Sequence, residues 1–353
     1  MASLSLPSVH QVFSFQFHKS FFFGRILNDL SFLFNSLFCG IFLKRPHLVV
    51  SQTSPPGIWW VGFLLSQWYR TPWIHISKDI FPDNLKALND KWGGKFLSLV
   101  DHLSSFPIKK SDRILVIGED MKKRFLNKGI DHRKIFQSHD WVDLEFIRPL
   151  AKKNTFSETH HLVDKFVVLY AGNFGRIHNF EDLLSAAEEL HYESQIVFLL
   201  VGEGALKEKL IHESQSRGLN NILIVPFEVR SKLPEVLASA DVSVILLKKG
   251  MAGLSVPSKI YSILASGRPI IACVEEESDI AGMVRDSQSG FVVPPGNPHQ
   301  FAAAVKELFS QLPLRSQLGA NARRYAEEKD FRTVAFRDYE RLFNEILVHE
   351  KTL

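Results

Sequence analysis

The chain has little cysteine and no recognisable metal-binding pattern. Among its 353 residues only Cys39 and Cys273 are cysteines, and they lie far apart and match no zinc or iron–sulfur spacing. This usage argues against a disulfide-rich secreted protein and favours the reducing cytoplasm. No Asp-x-Asp pair occurs either, so the sequence predicts neither a metal site nor a resident cofactor.

Long, clean apolar runs are also missing. The best candidate for a membrane span, residues 26–43, is at the short limit for crossing a bilayer. Polar residues interrupt it, namely Asn28, Asp29, Ser31, Asn35 and Ser36. A signal peptide is not expected, because a basic n-region and a small-residue cleavage site are absent. The segment instead predicts an amphipathic helix. Its apolar face holds Leu27, Leu30, Phe34, Leu37 and Ile41.

Basic charge and phenylalanine are concentrated near the start of the chain. The net charge is +4, but residues 1–150 hold 19 Lys and Arg against 12 Asp and Glu, and the remainder holds 23 against 26. Ten of the 29 phenylalanines fall in the first fifty residues. A basic, aromatic first half indicates an anionic partner such as a membrane surface. Chance asymmetry, and burial of the phenylalanines under a sheet, are the alternative interpretations.

The order of strand and helix patterns predicts an α/β protein with two domains. Short buried strands alternate with helical patterns, which is typical of parallel sheets with helices on both faces. The expected strands are 47–52, 73–77, 113–117, 166–171, 196–201, 222–225, 242–247, 270–272 and 290–293. The length also favours two domains. We place them at residues 1–150 and 163–332, joined by a polar stretch.

Small-residue turns follow several of these strands and point to an anion site. The most informative stretch, residues 253–272, reads GLSVPSKIYSILASGRPIIA and predicts a turn, a short helix ended by Gly267 and a buried strand. Two further glycine turns, at Gly172 and Gly202, also follow strands. A helix start behind a tight turn presents backbone N–H groups, so we expect a diphosphate at this shared edge. A purely structural turn–helix–strand unit is the alternative.

Asp79 and Asp83 follow another strand end, in the first domain. Open α/β sheets place their ligands at the carboxyl ends of their strands. Asp79 is therefore a candidate general base for an acceptor hydroxyl. Asp83 is expected to make backbone contacts in the turn that Pro82 fixes. Capping of the following turn by these carboxylates is the alternative.

Taken in order, these motifs resemble the retaining glycosyltransferases of family 4. The matching segments are YAGN at 170–173, VGEG at 201–204, ASADVSVILL at 238–247, VPSKIYSILASGRPIIA at 256–272 and GFVVPPGN at 290–297. The similarity covers about residues 79–343 and includes SPPG, DIFPD, VIGEDMKKR and WVD in the first domain. It is greatest to the branch that builds bacterial surface polysaccharides, where colanic-acid and fucosamine transferases are found.

The resemblance implies a GT-B architecture, in which two Rossmann-like domains face a cleft, and transfer without a metal ion. A UDP- or GDP-linked sugar donor is expected on the second domain and a lipid-linked glycan acceptor on the first. The C-terminal helix, 333–353, is expected to pack back on the first domain. The candidate catalytic residues are Asp79 and Lys259. The candidate donor-binding residues are Gly172, Asn173, Arg176, Gly202, Glu203, Gly204, Phe227, Leu254, Ser255, Val256, Ser258 and Ser262.

The chain departs from the family pattern at several of these positions. The family's two glutamates, for the donor sugar and the ribose, align with Leu254 and Ser262. Its diphosphate-binding arginine and lysine align with Asn173 and His178. The residues expected to take over parts of that work are Ser262, Lys259 and Arg176.

Nothing before His47 resembles the family's first strand and glycine-rich loop, which indicates a shortened or a diverged start. Three interpretations follow: a transferase of surface polysaccharide synthesis, an inert GT-B paralogue that acts as a binding subunit, and a sugar-nucleotide 2-epimerase, for which no acid–base set is found. The expected location is the cytoplasm, with peripheral contact on the inner face of the membrane. No nucleic-acid partner is expected.

Overall fold

The structure, a computed structural model, describes residues 8–17, 22–83, 94–254 and 256–351. They form two α/β units, each built on a parallel sheet, so the fold class predicted from the alternating strand and helix patterns is confirmed. The described residues of each unit bury their strands between helices, as expected for parallel sheets.

The first unit contains a four-stranded sheet. Its strands, in spatial order, are β1 (Val49–Ser51), β2 (Trp73–Ser77), β3 (Arg113–Val116) and β4 (Ile135–Gln137). Among its described residues the α-helices are α1 (Phe22–Ile41), α2 (Ile58–Tyr69), α3 (Gly94–Lys110) and α4 (Glu119–Asn127). The central position of β2 is seen in the register, where Ile74 lies opposite Val50 on one side and Arg113 on the other.

The second unit contains a six-stranded sheet. Its strands are β5 (Phe166–Ala171), β6 (Ile196–Val201), β7 (Ile222–Val225), β8 (Val242–Leu246), β9 (Ile270–Cys273) and β10 (Gly290–Val293). Their spatial order is β10-β9-β8-β5-β6-β7. The order changes direction between β5 and β8, and a crevice forms at such a switch point beyond the carboxyl ends of the strands.

The remaining helices belong to the second unit or link it to the first. They are α5 (Thr155–Thr159), α6 (Phe180–Glu189), α7 (Lys207–Ser216), α8 (Leu233–Ala238), α9 (Lys259–Ser266), α10 (Asp279–Ser287), α11 (Pro298–Ser310), α12 (Leu312–Lys329) and α13 (Phe331–Lys351). The polar stretch expected as a plain linker contains α5. Asn154 and Ser157 cap that helix reciprocally, each side chain bonding to the other's backbone N–H at 3.0 Å.

Helix α13 returns the chain to the first unit. It is separated from α12 by Asp330, whose backbone is left-handed with φ 38°. Asp338 accepts a 2.9 Å hydrogen bond from Ser138, just after β4, and the guanidinium of Arg341 lies 4.7 Å from the centre of the Phe136 ring. Leu342 is buried in the hydrophobic core that lines the first sheet.

The two units meet through a short set of polar contacts. The backbone N–H groups of Asp120 and Asp279 each donate to the other's carboxylate, at 3.0 and 2.7 Å. Arg124 donates to the carbonyl oxygens of Ala252, at 2.7 Å, and Gly250, at 3.0 Å. A continuous set of buried apolar side chains from both units lies alongside these contacts.

The polar residues that interrupt the apolar run in α1 bind the extended segment 8–17. The side chains of Ser31 and Asn28 accept 3.0 Å hydrogen bonds from the backbone of that segment, and Asn35 donates to it at 2.9 Å. Part of the apolar face predicted for this helix is exposed, including Phe34, which is 68% exposed. Within the described ranges, none of the helices combines the length and the apolar character that a bilayer crossing needs.

Candidate active site

The turn before α9 is held by the first unit. Gly253 has φ +71°, and a side chain there would run into the backbone of Asp120. The N–H of Leu254 donates to Met251, and its carbonyl oxygen accepts a 2.9 Å bond from Ile80 of the first unit. Because its side chain is also buried in the core, Leu254 joins the two units. We had expected its N–H to bind the donor, but this N–H is already bonded within the protein.

Helix α9 begins at Lys259, two residues later than the proline suggested, and Gly267 ends it with φ +67°. Val256 is buried against the first unit near Gly118, so its side chain does not contribute to the crevice. Ser258 is exposed and makes no side-chain cap. Ser255 lies outside the described residues.

Lys259 points its side chain into the crevice at the switch point of the second sheet. Its Nζ lies 3.6 Å from the centre of the Tyr170 ring and next to Gly172, where a side chain would collide with it. Within the described residues this buried nitrogen has no hydrogen-bond partner. Burial lowers the pKa of Lys259 to about 7. An anionic ligand beside this nitrogen would favour its charged form, so the site suits an anion.

Two glycine turns form the floor of the crevice. A side chain at Gly202 would overlap the carbonyl oxygen of Gly172, and one at Gly204, where φ is +152°, would overlap Asn173 and Phe174. The ends of β5 and β6 therefore approach each other more closely than any other residue would allow. The N–H of Phe174 donates to the carbonyl oxygen of Glu203, whereas that of Asn173 donates to no protein group in the part of the chain described.

His178 does not supply the positive charge that the resemblance places at this position. Its Nδ1 lies 2.8 Å from the carbonyl oxygen of Leu246. Burial, with the charge of Lys259, lowers the pKa of His178 to about 4, so the ring is neutral at pH 7. It packs edge-on against Tyr170, with ring centres 5.6 Å apart. The cationic role therefore falls to Lys259.

A cavity of about 240 Å³ extends from Lys259 beneath these turns. Of the predicted residues it brings together Gly172, Phe227, Lys259 and Ser262. Its other walls are mainly apolar, from β5, β6 and α8. An apolar cavity with a few convergent polar groups is the usual form of a small-molecule site.

Glu228, at the rim of this cavity, was missed by the sequence reasoning. It follows Pro226 and Phe227 after β7, and its side chain is exposed and lines the opening. The carboxyl-edge rule applied to β7 would have found it. Its carboxylate adds a strong acceptor to the cavity that Ser262 lines with only a short hydroxyl.

Two predicted donor residues lie at the exposed rim of the turns. Arg176 is exposed, and its charge acts on Lys248. Glu203 pairs with Lys207 at 2.6 Å, so its carboxylate is directed along α7. Neither residue lines the cavity.

Asp79 lies at the end of β2, beside the contact between the units. Its carbonyl oxygen accepts a 3.1 Å bond from Ser77, and the next residue, Ile80, bonds to Leu254 of the second unit. Asp79 also borders a very small cavity of about 10 Å³ beneath this loop. The carboxylate of Asp83 bonds to Lys128 at 2.9 Å.

The second unit matches a known protein family. The family described as "Glycosyl transferases group 1" matches residues 152–325, which include the glycine turns, Lys259 and the cavity. The match covers the second unit and the first part of α12.

Two curated bacterial proteins are similar over more of the chain. The probable glycosyltransferase WbjE of Pseudomonas aeruginosa is 29% identical over 75% of this chain and 66% of its own length. WcaI of Escherichia coli strain K12, which carries the name of a colanic acid biosynthesis glycosyl transferase, is 26% identical over 67% of this chain and 58% of its own length. The chain thus spans about two thirds or less of these relatives.

Solved structures share the two-unit fold. Anabaena Alr3699/HepE, determined with UDP-glucose, superposes with a TM-score of 0.74 over 91% of this chain and 84% of that chain, at 14% identity. WaaG, a glycosyltransferase involved in lipopolysaccharide biosynthesis, superposes with a TM-score of 0.64 over 84% of each chain, at 13% identity. At these identities the likeness is one of fold.

Proposed function

We propose, from the match of residues 152–325 to the group 1 glycosyltransferases, that the protein transfers a sugar, with retention, from a nucleoside diphosphate to a glycan acceptor. The buried Lys259 ammonium beneath the glycine turns carries the proposal. A buried cation without a counter-charge is costly. A donor diphosphate would compensate it.

Departure of the nucleoside diphosphate develops negative charge on the β-phosphate oxygens. The Lys259 ammonium, fixed over the Tyr170 ring, would stabilise that charge with little reorganisation, which is the most effective form of electrostatic catalysis. The N–H of Asn173 and the guanidinium of Arg176 stand at the edge of the same turns. No nucleophilic side chain is required if the acceptor hydroxyl attacks on the face that the diphosphate leaves.

The nucleoside of the donor fits the cavity behind Lys259. Phe227 offers an exposed ring for stacking on the base. Glu228 and Ser262 line the same cavity and would accept or donate hydrogen bonds at the ribose hydroxyls. HepE, which shares this fold, was determined with UDP-glucose, and this supports a UDP-linked donor as the first one to test.

The acceptor belongs to the first unit. We assign Asp79 as the base that receives the acceptor's hydroxyl proton, because it follows β2 beside the contact with the second unit. A carboxylate suits this role if its pKa lies below the working pH. The names of WbjE and WcaI support a sugar transferase of surface polysaccharide synthesis.

A lipid-linked acceptor would bring the first unit to the membrane surface. Exposed phenylalanines lie at the end of α1, where the ring centres of Phe38 and of Phe42, just beyond the helix, are 5.0 Å apart. Phe13 and Phe15 lie on the extended segment bonded to the same helix. Such a surface can insert shallowly while nearby Lys and Arg meet anionic headgroups. We propose peripheral contact with the cytoplasmic leaflet, tested by flotation on anionic vesicles at low and high salt.

An inert binding subunit is the second candidate function. It is favoured by the absence of a carboxylate at Leu254 and Ser262, the two positions where the family has glutamates. Both candidates bind a nucleoside diphosphate, but only the enzyme turns it over. Incubation with a panel of UDP- and GDP-sugars separates them by transfer or slow hydrolysis, and an epimerised donor would identify a 2-epimerase instead.

Donor binding is tested by calorimetry with UDP and GDP. Lys259→Ala should weaken binding strongly, whereas Lys306→Ala, an exposed lysine near Tyr192, should not. Folded wild-type protein that binds neither nucleotide would remove the basis of the proposal.

A further inference from the structure

A groove between the first sheet and α13 has the chemistry of a saccharide site. Its volume is about 580 Å³. Gln52 and Lys78 line it from the carboxyl ends of β1 and β2, and Trp141 lines it from the loop after β4. The opposite wall is one face of α13, beginning at Phe336.

An exposed aromatic pair forms one end of this groove. The rings of Trp141 and Phe336 are 5.3 Å apart at 70°, and the two residues are 42% and 51% exposed. Arg332 lies within 6 Å of both ring centres and is fixed by a 2.7 Å ion pair with Asp143. The rings are thus held in place before any ligand arrives, which reduces the entropy lost on binding.

The wall formed by α13 alternates aromatic and polar side chains along one stripe. Phe336, Tyr339 and Phe343 follow each other at helical spacing, with Glu340 and Asn344 beside them. Among the residues described, no protein group bonds to the side chains of Glu340 or Asn344. Both residues line the groove and are exposed, so their polar groups can bond to a ligand.

The basic groups at the groove are already paired with carboxylates. Lys78 pairs with Asp140 at 2.7 Å, and Arg332 pairs with Asp143. A phosphate or an acidic peptide gains little from cations that are already neutralised. Aromatic faces combined with amide and carboxylate groups suit a neutral ligand that has both C–H faces and hydroxyls, which is the chemistry of a pyranose ring.

We propose that this groove binds a pyranose of the glycan acceptor, a subsite that rests on the transferase function proposed above. Lys78 is directly followed by Asp79, and the N–H of Lys78 bonds to Thr53 at 2.8 Å. Because Lys78 lines the groove, the groove is bordered by the loop that carries the assigned base. One sugar unit packs on Trp141 and Phe336, and Glu340 orients its hydroxyls.

Saturation-transfer NMR with methyl pyranosides of glucose, galactose, mannose, fucose and N-acetylglucosamine tests binding without requiring catalysis. At least one should receive saturation on its ring C–H protons from the wild type. The signal should disappear in Phe336→Ala and Trp141→Ala. It should persist in Tyr192→Ala, an exposed ring on the second unit. The signal should also weaken in Glu340→Gln. Because this substitution leaves the packing intact, its effect cannot be attributed to misfolding, as that of the aromatic variants could be.

Kinetics then separate this inference from the proposed function. With an active acceptor, Phe336→Ala should raise acceptor KM roughly tenfold, as expected for losing one aromatic anchor, and leave donor KM unchanged. Unaltered acceptor KM in folded Phe336→Ala and Glu340→Gln, with no saturation transfer in the wild type, would overturn the subsite and leave the transferase intact. Failure of the wild type to bind any nucleoside diphosphate would instead refute the transferase.

Discussion

The ammonium nitrogen of Lys259 lies 3.6 Å from the centre of the Tyr170 ring. The ring is itself fixed, since its hydroxyl donates a 2.8 Å bond to the carbonyl oxygen of Asn173. An aromatic face attracts a cation without accepting its protons in strong hydrogen bonds. The lysine is therefore held in position while its N–H groups stay available to a ligand.

This arrangement predicts donor binding that weakens as pH rises. Burial lowers the pKa of Lys259 to about 7, so below that pH the protein already carries the charge that a diphosphate needs. Above it, binding must take up a proton, and the affinity should fall by up to roughly tenfold per pH unit. Calorimetry with UDP-glucose between pH 6 and 9 measures this. Lys259→Met should bind weakly and show no such slope, and a flat wild-type profile would contradict the prediction.

Glu228 is expected to recognise the ribose. Replacing it by Gln should weaken UDP binding by roughly tenfold, because a hydrogen bond to a charged group contributes about 1.5–3 kcal/mol. The loss should vanish with 2′,3′-dideoxy-UDP, which lacks the hydroxyls. Glu277→Gln, an exposed carboxylate beyond β9, serves as the matched control. An equal loss of affinity with both nucleotides would show that Glu228 does not act through the ribose hydroxyls.

Asp79→Asn should lower turnover about 100-fold or more, the usual contribution of a general base, with UDP affinity unchanged. Thermal unfolding and calorimetry on the same sample provide the comparison. Asp83→Asn, which breaks the ion pair with Lys128, should reduce stability more than turnover. If Asp79→Asn lost stability in proportion to its activity, its role would be to cap the turn.

Gly202→Ala should disrupt the floor of the donor site. The new methyl group would overlap the carbonyl oxygen of Gly172, and such overpacking costs about 1–3 kcal/mol. UDP binding should be lost with it. Gly282→Ala in α10 meets no atom within 4 Å and should instead stabilise the protein by about 0.5–1 kcal/mol. Urea unfolding of both variants checks this, and normal UDP binding by Gly202→Ala would count against the turn geometry.

The contact between Asp120 and Asp279 predicts a pH-dependent stability. Burial and the charge of Asp120 raise the pKa of Asp279, so the folded protein keeps this proton to higher pH than the unfolded chain. The free energy of unfolding should therefore fall as pH rises from the ordinary carboxyl pKa through the raised one, with the full cost present only above the raised pKa.

Asp279→Asn should remove that cost and keep the acceptor for the Asp120 N–H. It should be at least as stable as the wild type at pH 7, with the difference closing below pH about 4. Asp279→Ala should lose about 1 kcal/mol, because the N–H of Asp120, near the start of α4, loses the carboxylate that accepts from it. Urea unfolding at several pH values measures both. Greater stability of the Ala variant than of the Asn variant would contradict the role of the hydrogen bond.

Most of the fold and part of the site could be predicted from local patterns in the sequence. Strand and helix periodicity predicted the six strands of the second sheet and three of the four in the first, but it missed β4, which has only 3 residues. The glycine turns with Lys259 could be placed at one edge because parallel strands share their carboxyl ends. The role of Leu254 could not be foreseen. Which way its turn faces depends on Ile80 and Asp120 of the other unit. Trp141 and Phe336 are in contact although nearly 200 residues separate them in the sequence. Local spacing cannot predict such a contact.

The path of the chain also limits how the two halves can move. It crosses between the units twice, once in the stretch that ends at α5 and again at Asp330, where the backbone turns left-handed before α13. Two attachment points leave rotation about the line that joins them as the motion with least deformation. Opening for donor release would then swing the Lys259 crevice away while α13 stays with the first sheet. A glycan seated against Trp141 and Phe336 would remain bound through several exchanges of donor, a condition for adding sugars one after another to the same acceptor.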